Sequence, residues 1–539
     1  MFKKFRSETN SFTAAALILG AASFTSRFVG IIRDRIFAHQ FGASDILDAY
    51  FSAFKIPDLL YILLISGALS VGLIPVFTKL LLKDKKEAWV LISNITNIAG
   101  IFLSLASFIL IIFTPQLVPL VAPGFDAEKT KLTINMTRIM FLSPLFLGLS
   151  AIVGGVLQSL KNFLIYSLSP IFYNLGIILA AWFLVPMIGP IGLAWGVVFG
   201  AILHLAVQLP TFFKTGYVYK AIINFKDTNL RLIGRLMVPR ILALSALQIN
   251  LIVTTAIAST LSTGSITVFN YANNLQSFPL GLVGVSFAIA IFPTLSALAA
   301  QNKTADYIKN LSSAVRQILF FITPLTVIFL LLRAQIVRLL LGTGQFDWSA
   351  TINTADTLAF FSLGFFAQAL LPLLIRAYYA LEDTKTPFLI SLVSVTVNIG
   401  LSFLFTHGSY NLGTAGLALA YSLAGTLNAA LLWVFLHLKT GGLDENRIIT
   451  SIFKISTAGL FMGIVIQAGK YLIAPLVDMQ TFLGIFIQGS ATGIIGLLIY
   501  IIIGLLLKSH EMIVFVNTLK NKFIKTKNLP PDISGISEI

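Results

Sequence analysis

The chain has 539 residues, 57% hydrophobic and only 11% charged, with a mean hydropathy of +0.91 and a formal charge of +16. Soluble domains carry about 25% charged residues, so this is the composition of an all-α polytopic membrane protein. There is no cysteine and the five histidines are scattered, which excludes disulfides and thiolate metal sites; the basic excess fits membrane topology, and no nucleic-acid motif accompanies it.

The N-terminus places Lys3, Lys4 and Arg6 before an apolar run from Phe12. It has the outline of a signal peptide but no cleavage site, so a retained first helix is expected. About 20 apolar residues cross a bilayer as a helix. Apolar windows between polar breaks give fourteen such candidates. The first six are 11–36, 46–80, 88–114, 132–158, 163–186 and 190–213. The next six are 235–260, 266–299, 310–340, 354–380, 386–407 and 412–438, and the last two 449–473 and 481–507. The second and eighth are overlong for one crossing, so bends are expected there.

The first two candidates carry the charge. Ser26-Arg27-Phe28-Val29-Gly30-Ile31-Ile32-Arg33-Asp34 lies in one, and Asp48 to Asp58, with Lys55 and Pro57, in the other. A charge at membrane depth costs roughly 2.5–3.5 kcal/mol and so faces a partner or water. Arg27 and Asp34 are seven residues apart and share a helical face, and so do Asp48 and Lys55, with Asp58 three residues further on near that face. Two readings follow: a hydrated, cationic cavity for an anionic ligand, or buried ion pairs that lock two helices together.

The connections alternate in charge. One side carries Lys83, Lys85, Lys86, Lys161, Lys214, Lys220, Lys226, Arg231, Lys303, Lys309, Lys385, Lys439, Arg447 and Lys508, and the other almost none. The positive-inside rule puts both termini in the cytoplasm, which requires an even number of spans. The end, from Lys520 through Lys522, Lys525 and Lys527 to Pro530-Pro531, reads as a basic, disordered tail.

Ser159, Lys161, Asn174 and Gly192-Leu193-Ala194 lie 224 residues before Asp383, Lys385, Asn398 and Gly416-Leu417-Ala418, and Ile74-Pro75 lies 218 before Phe292-Pro293. Six helices per period make a parallel repeat about an axis along the membrane normal. The expected organisation is a first lobe over 1–220, a second over 221–440, two further membrane helices over 441–510, and a cytoplasmic tail over 511–539. Helices one, two, seven and eight, which carry the polar load, are expected to line a cleft between the lobes.

The charged motif is similar to the Ser-Arg-x-x-Gly-x-x-Arg-Asp signature of the MurJ (MviN) lipid II flippase family. The similarity continues through Asp48 to Leu60, Gly67-Ala68-Leu69-Ser70 with Pro75, and Ala122-Pro123-Gly124-Phe125. It reaches Phe278-Pro279, Pro293-Thr294-Leu295-Ser296 and Asp383-Thr384-Lys385-Thr386-Pro387, over about 440 residues. The resemblance implies the multidrug/oligosaccharidyl-lipid/polysaccharide exporter superfamily. It implies export of a lipid-linked peptidoglycan precursor across the bacterial inner membrane by alternating access. Its implied partners are lipid II, membrane lipids and the cell-wall synthesis machinery.

It further implies substrate contacts from Ser26, Arg27, Arg33, Asp34, Asp48, Lys55, Asp58, Asn273 and Asn274. Gly30, Pro57, Pro75, Pro279 and Pro293 are the implied structural or hinge positions. Two departures stand out: Tyr61 and Asn274 occupy places where well-known members put arginine. Arg240 and Arg376 are candidate replacements, or helix-end residues that snorkel to the interface. Gln248, Asn250 and Gln276 offer further hydrogen bonds. Export of another lipid-linked saccharide or a drug, or a non-transporting scaffold, are the alternatives. No catalytic triad, phosphate-binding glycine loop or metal cluster occurs, so a transporter is expected and not an enzyme. No cofactor or metal is implied, and the driving ion is open.

Overall fold

The computed structural model describes residues 12–63, 72–408 and 410–523. The stretch Gly67 to Ser70, the first basic residues and the tail beyond 523 lie outside them. So does the side chain of Arg240.

The described residues are helical nearly throughout. Polar residues at the breaks set the helix starts. Asp84 takes N–H groups from Lys86 and Glu87 at 2.7 and 3.1 Å, Asp126 from Lys129 at 2.8 Å, and Asp227 from Asn229 at 2.8 Å. Each carboxylate satisfies first-turn donors that the helix leaves open. Ten helices are long and apolar enough to cross a membrane, eleven with Trp348–Leu363 and Phe365–Ala380 taken as one span bent by 49°. The expected fourteen adds the candidates at 11–36, 46–80 and 235–260, whose described parts do not meet that test; residues 64–71 lie outside the described ones. Four charged residues, Arg27, Arg33, Asp34 and Arg35, crowd the first of these.

The two overlong candidates bend as expected. The second is interrupted at Phe54, between helices Asp45–Ala53 and Lys55–Tyr61. Pro57 explains the break: it has no N–H for the carbonyl of Ala53, and its ring crowds that carbonyl. Pro75 opens the next helix, Ile74–Lys83. The eighth candidate runs Ser265–Leu280, a π-helical turn Gly281–Val285, and Ser286–Ala300. Pro279 immediately precedes the π turn and Pro293 lies in the last piece.

The chain forms two compact units. One comprises Met1–Phe278, Val337–Phe361 and Phe388–Ala424, the other Pro279–Ile336, Ser362–Pro387 and Gly425–Ile539. In the first, Phe77, Trp89 and Phe212 centre an apolar core with Leu73, Ile92 and Val156. Helices Phe163–Phe183 and Ile191–Ala206 meet closely, because a Cβ on Gly176 would lie 2.5 Å from the Cα of Gly200. Small residues at such crossings let backbones approach in a membrane. In the second unit Tyr500 donates to Phe320 O at 2.8 Å, and Gln335 to Gln488 at 2.9 Å, tying the last apolar helix, Phe482–Leu506, to earlier ones.

One helix-ending turn, closed by a left-handed residue, recurs at Lys161, Asn302, Glu382 and Lys508. Lys161 and Glu382, 221 residues apart, both adopt left-handed conformations, at φ 61° and 58°. Each closes the same helix-ending turn, with Asn162 N donating to Leu157 O at 2.8 Å and Asp383 N to Tyr378 O at 3.0 Å.

Candidate functional site

The first helix, Phe12–Phe41, brings its charges to the Ser265–Leu280 helix. Arg27 donates through Nη1 to Ser277 O at 2.7 Å, and Asp34 Oδ2 accepts from Asn274 Nδ2 at 2.8 Å. Ser277 and Asn274 are three residues apart on one helix, so Arg27 and Asp34 do present a common face. Ser26 is half-buried beside them in the chain, and Arg27 is exposed.

Arg33 is differently placed. Its Nη2 and Nε reach Asp34 Oδ1 at 2.7 and 3.0 Å, and its Nη1 reaches Asn174 Oδ1 at 3.0 Å. The Asp34 side chain is only 6% exposed. A buried carboxylate of this kind is tolerable only with its acceptors filled, and Arg33 and Asn274 together fill both oxygens. Gly30 faces the same neighbour, since a Cβ there would lie 4.0 Å from Asn174 Oδ1.

Asp48 belongs to another arrangement. It accepts from Gly264 N at 2.8 Å, Thr267 N at 2.9 Å, Thr267 Oγ1 at 2.7 Å and Lys129 Nζ at 3.0 Å. It thus caps the start of Ser265–Leu280 from a distant part of the chain. Lys129 also reaches Asp45 at 2.5 Å and sits 4.2 Å over the Phe125 ring. Asp48 and Lys55 lie on either side of Phe54, which keeps helical dihedrals (φ −68°, ψ −29°), and Asp48 takes its donors from Gly264, Thr267 and Lys129. Lys55 and Asp58 remain one turn apart on Lys55–Tyr61, and Asp58 comes within hydrogen-bonding reach of Gln248.

Other amides of the second half pair with one another. Asn273 Oδ1 accepts from Gln276 at 3.0 Å, and Asn398 donates to Asn250 at 2.8 Å. Arg376 lies 3.5 Å from Pro372 O, one turn back on its own helix. A pocket of about 520 Å³, lined by His39, Gln40, Phe41, Ala181, Val185, Pro186, Gly344 and Gln345, contains none of the expected substrate residues. Among the described residues no cluster of histidine and carboxylate side chains is suited to a metal.

Sequence reasoning missed Asn174 and Lys129 as partners. Asn174 had a signal, its place in the repeat beside Asn398. Lys129 had one too: it is a lysine on the side where lysine is nearly absent.

A family model described as lipid II flippase MurJ matches residues 37–518. A probable lipid II flippase MurJ of Vibrio cholerae serotype O1 is 29% identical over 90% of this chain and 93% of its own length. One from Buchnera aphidicola subsp. Schizaphis graminum is 33% identical over 78% and 82% respectively. A solved structure titled as lipid II flippase MurJ in an inward closed conformation superposes with a TM-score of 0.75 at 26% identity, covering 93% of this chain and 99% of that one. An inward-facing multidrug resistance transporter of the MATE family, at 15% identity and a TM-score of 0.66 over 78% of this chain and 96% of that one, shares the fold.

Proposed function

Since this chain belongs to the lipid II flippase MurJ family, we propose that it carries lipid II, the lipid-linked peptidoglycan precursor, from the cytoplasmic to the outer leaflet of the bacterial inner membrane. The observation that carries the proposal is the division of labour on the first helix. Arg27 is exposed and spends one N–H on Ser277 O, leaving donors for a phosphate oxygen. Guanidinium suits phosphate through its planar fork. Arg33 is engaged by Asp34 and Asn174, so its role is to position the face that carries Arg27. Lys55 and Asp58 form a mixed-charge turn on the next membrane segment. Asp48 serves the site indirectly, by fixing the start of the helix that bears Asn273, Asn274 and Ser277.

Alternating access fits the interrupted helices. Pro57, Pro75 and Pro279 lie at or beside breaks, where backbone rotation breaks few hydrogen bonds, and Pro293 lies within a helix. The repeat supports two lobes of six helices, and with two added helices fourteen spans. The lysine distribution supports cytoplasmic termini. Transport of a different lipid-linked saccharide is the second reading, favoured by Tyr61 and Asn274 standing where arginine is expected.

Rescue of cells depleted of their own flippase tests the proposal, alongside precursor translocation in proteoliposomes. Growth and translocation of lipid II are expected. Arg27→Ala should abolish both while leaving the unfolding temperature near that of the parent, because exposed substitutions cost about 0.5 kcal/mol or less. A chain that inserts normally but neither rescues nor moves lipid II would favour the second reading.

A further inference from the structure

Between the Leu209–Phe213 helix and the Thr228–Ser259 helix the chain runs as an irregular strap along Lys85–Val121. Three side chains hold it. Asn94 makes a two-way pair with Asn224, donating to its carbonyl at 2.9 Å and accepting its N–H at 2.8 Å. Asn97 donates to Lys220 O at 3.0 Å and Ile222 O at 2.9 Å. Ser93 meets Tyr217 Oη at 3.1 Å and Lys220 N at 3.2 Å. The strap is therefore built, and its backbone is pinned to one helix.

Its depth can be read from that helix. Exposed large apolar residues on Lys85–Val121 begin at Ile101 and end at Leu120. Twenty residues at about 1.5 Å each make about 30 Å, the thickness of a hydrocarbon core. Ser93 to Asn97 then lie roughly 6–12 Å beyond its edge by the same rise, which is headgroup level. What the strap shows outward suits that level. Val218, Tyr219, Ile223 and Phe225 are 67%, 58%, 54% and 66% exposed. Lys214, Lys220, Lys226 and Arg231 are exposed among them. The one acidic residue in the stretch, Asp227, is spent on capping Asn229 and Leu230. Aromatic and aliphatic side chains prefer the interface, and clustered lysines beside a membrane helix attract anionic lipid.

We infer that the 214–231 strap is a docking surface for the headgroups of anionic phospholipids. The apolar side chains seat it in the interface and the lysines select the charge. The test uses the full-length protein in nanodiscs of phosphatidylcholine, with and without phosphatidylglycerol. Amide hydrogen exchange is followed over 213–227. Phosphatidylglycerol should slow exchange there, and the effect should fade as salt is raised. The triple exchange Lys214→Gln, Lys220→Gln, Lys226→Gln should remove the effect, each lysine being worth about fivefold in lipid affinity. Equal protection in the two lipids, or full protection in the triple variant, would overturn the inference. So would soluble diphosphate protecting the strap in phosphatidylcholine as well as phosphatidylglycerol does, since the site would then bind a free anion. Exchange over 101–113 reports whether the variant is folded. If it is not, the salt titration of the unmodified protein decides, and an effect that persists at high salt refutes the charge-selective surface.

Discussion

Asn174 and Asn398 are 224 residues apart and hold equivalent places in the repeat, yet they meet different partners. Asn174 accepts from the Arg33 guanidinium at 3.0 Å, in a network that includes Asp34 and Asn274. Asn398 donates to the Asn250 amide at 2.8 Å, and its own Oδ1 is buried without a partner. Each is a polar contact between helices, at positions that the expected repeat equates, and only the first carries charge. The neutral pair costs little to bury and does little beyond joining helices. The charged one is expensive to bury, and it supports the face on which Arg27 remains available. The difference teaches that two contacts at expected-equivalent positions can be built on charge in one place and on neutral amides in the other.

The sharpest way to break the comparison is Arg33→Ala. It strands the Asp34 carboxylate, and loss of one partner of a buried pair costs about 3–5 kcal/mol. A large drop in unfolding temperature and loss of transport are expected. Asp34→Asn in the same chain should recover much of the stability and none of the transport, measured by thermal unfolding and translocation side by side. Next in size is Asn174→Ala, which removes a charge-assisted hydrogen bond worth about 1.5–3 kcal/mol. Asn274→Arg supplies the cation that the family resemblance implies at this position. A guanidinium there keeps a donor on Asp34, so the variant should fold and bind lipid II about tenfold more tightly, the equivalent of one charged hydrogen bond. Clearly weaker binding by a folded variant would show that the neutral amide is required. Asn398→Ala should be mild, about 0.6 kcal/mol, the average for an interhelical side-chain bond. If it costs as much as Asn174→Ala, the two contacts do not differ as charged and neutral.

The matching turns at Lys161 and Glu382 reverse the pattern. Asn162 caps the helix after the first turn without a side-chain bond. Asp383, after the second, accepts from Thr386 N at 3.0 Å, Thr386 Oγ1 at 2.8 Å and Lys439 Nζ at 2.7 Å. Burial pushes the Asp383 carboxyl up, but these donors prevail and hold it at about 2. A depressed carboxyl stabilises the fold above its ordinary value near ~3.9, and the contribution is lost as pH falls through the folded value. The second turn should therefore keep its staple down to about pH 2. Lys439→Ala should raise the folded value and bring the loss to higher pH, a small shift visible in an acid-unfolding curve monitored by hydrogen exchange at 381–390. No shift would mean that Thr386 alone holds the carboxylate.

Hydropathy made the all-helical, multi-span character legible without coordinates, because a bilayer imposes length and polarity on every crossing segment. The face shared by Arg27 and Asp34 was legible too, since both lie on one unbroken helix whose period is fixed. The donors to Asp48 were not, because Gly264, Thr267 and Lys129 reach it from distant parts of the chain. Only the tertiary structure decided that Asp48 caps Ser265–Leu280 through Gly264 and Thr267, 216 and 219 residues away, and that Asn174 completes Arg33. A single sequence states how many charges lie in the membrane and how far apart they are along a helix. Which of them are satisfied is settled by donors and acceptors that packing brings from hundreds of residues away, and that is what separates the held Arg33 from the available Arg27.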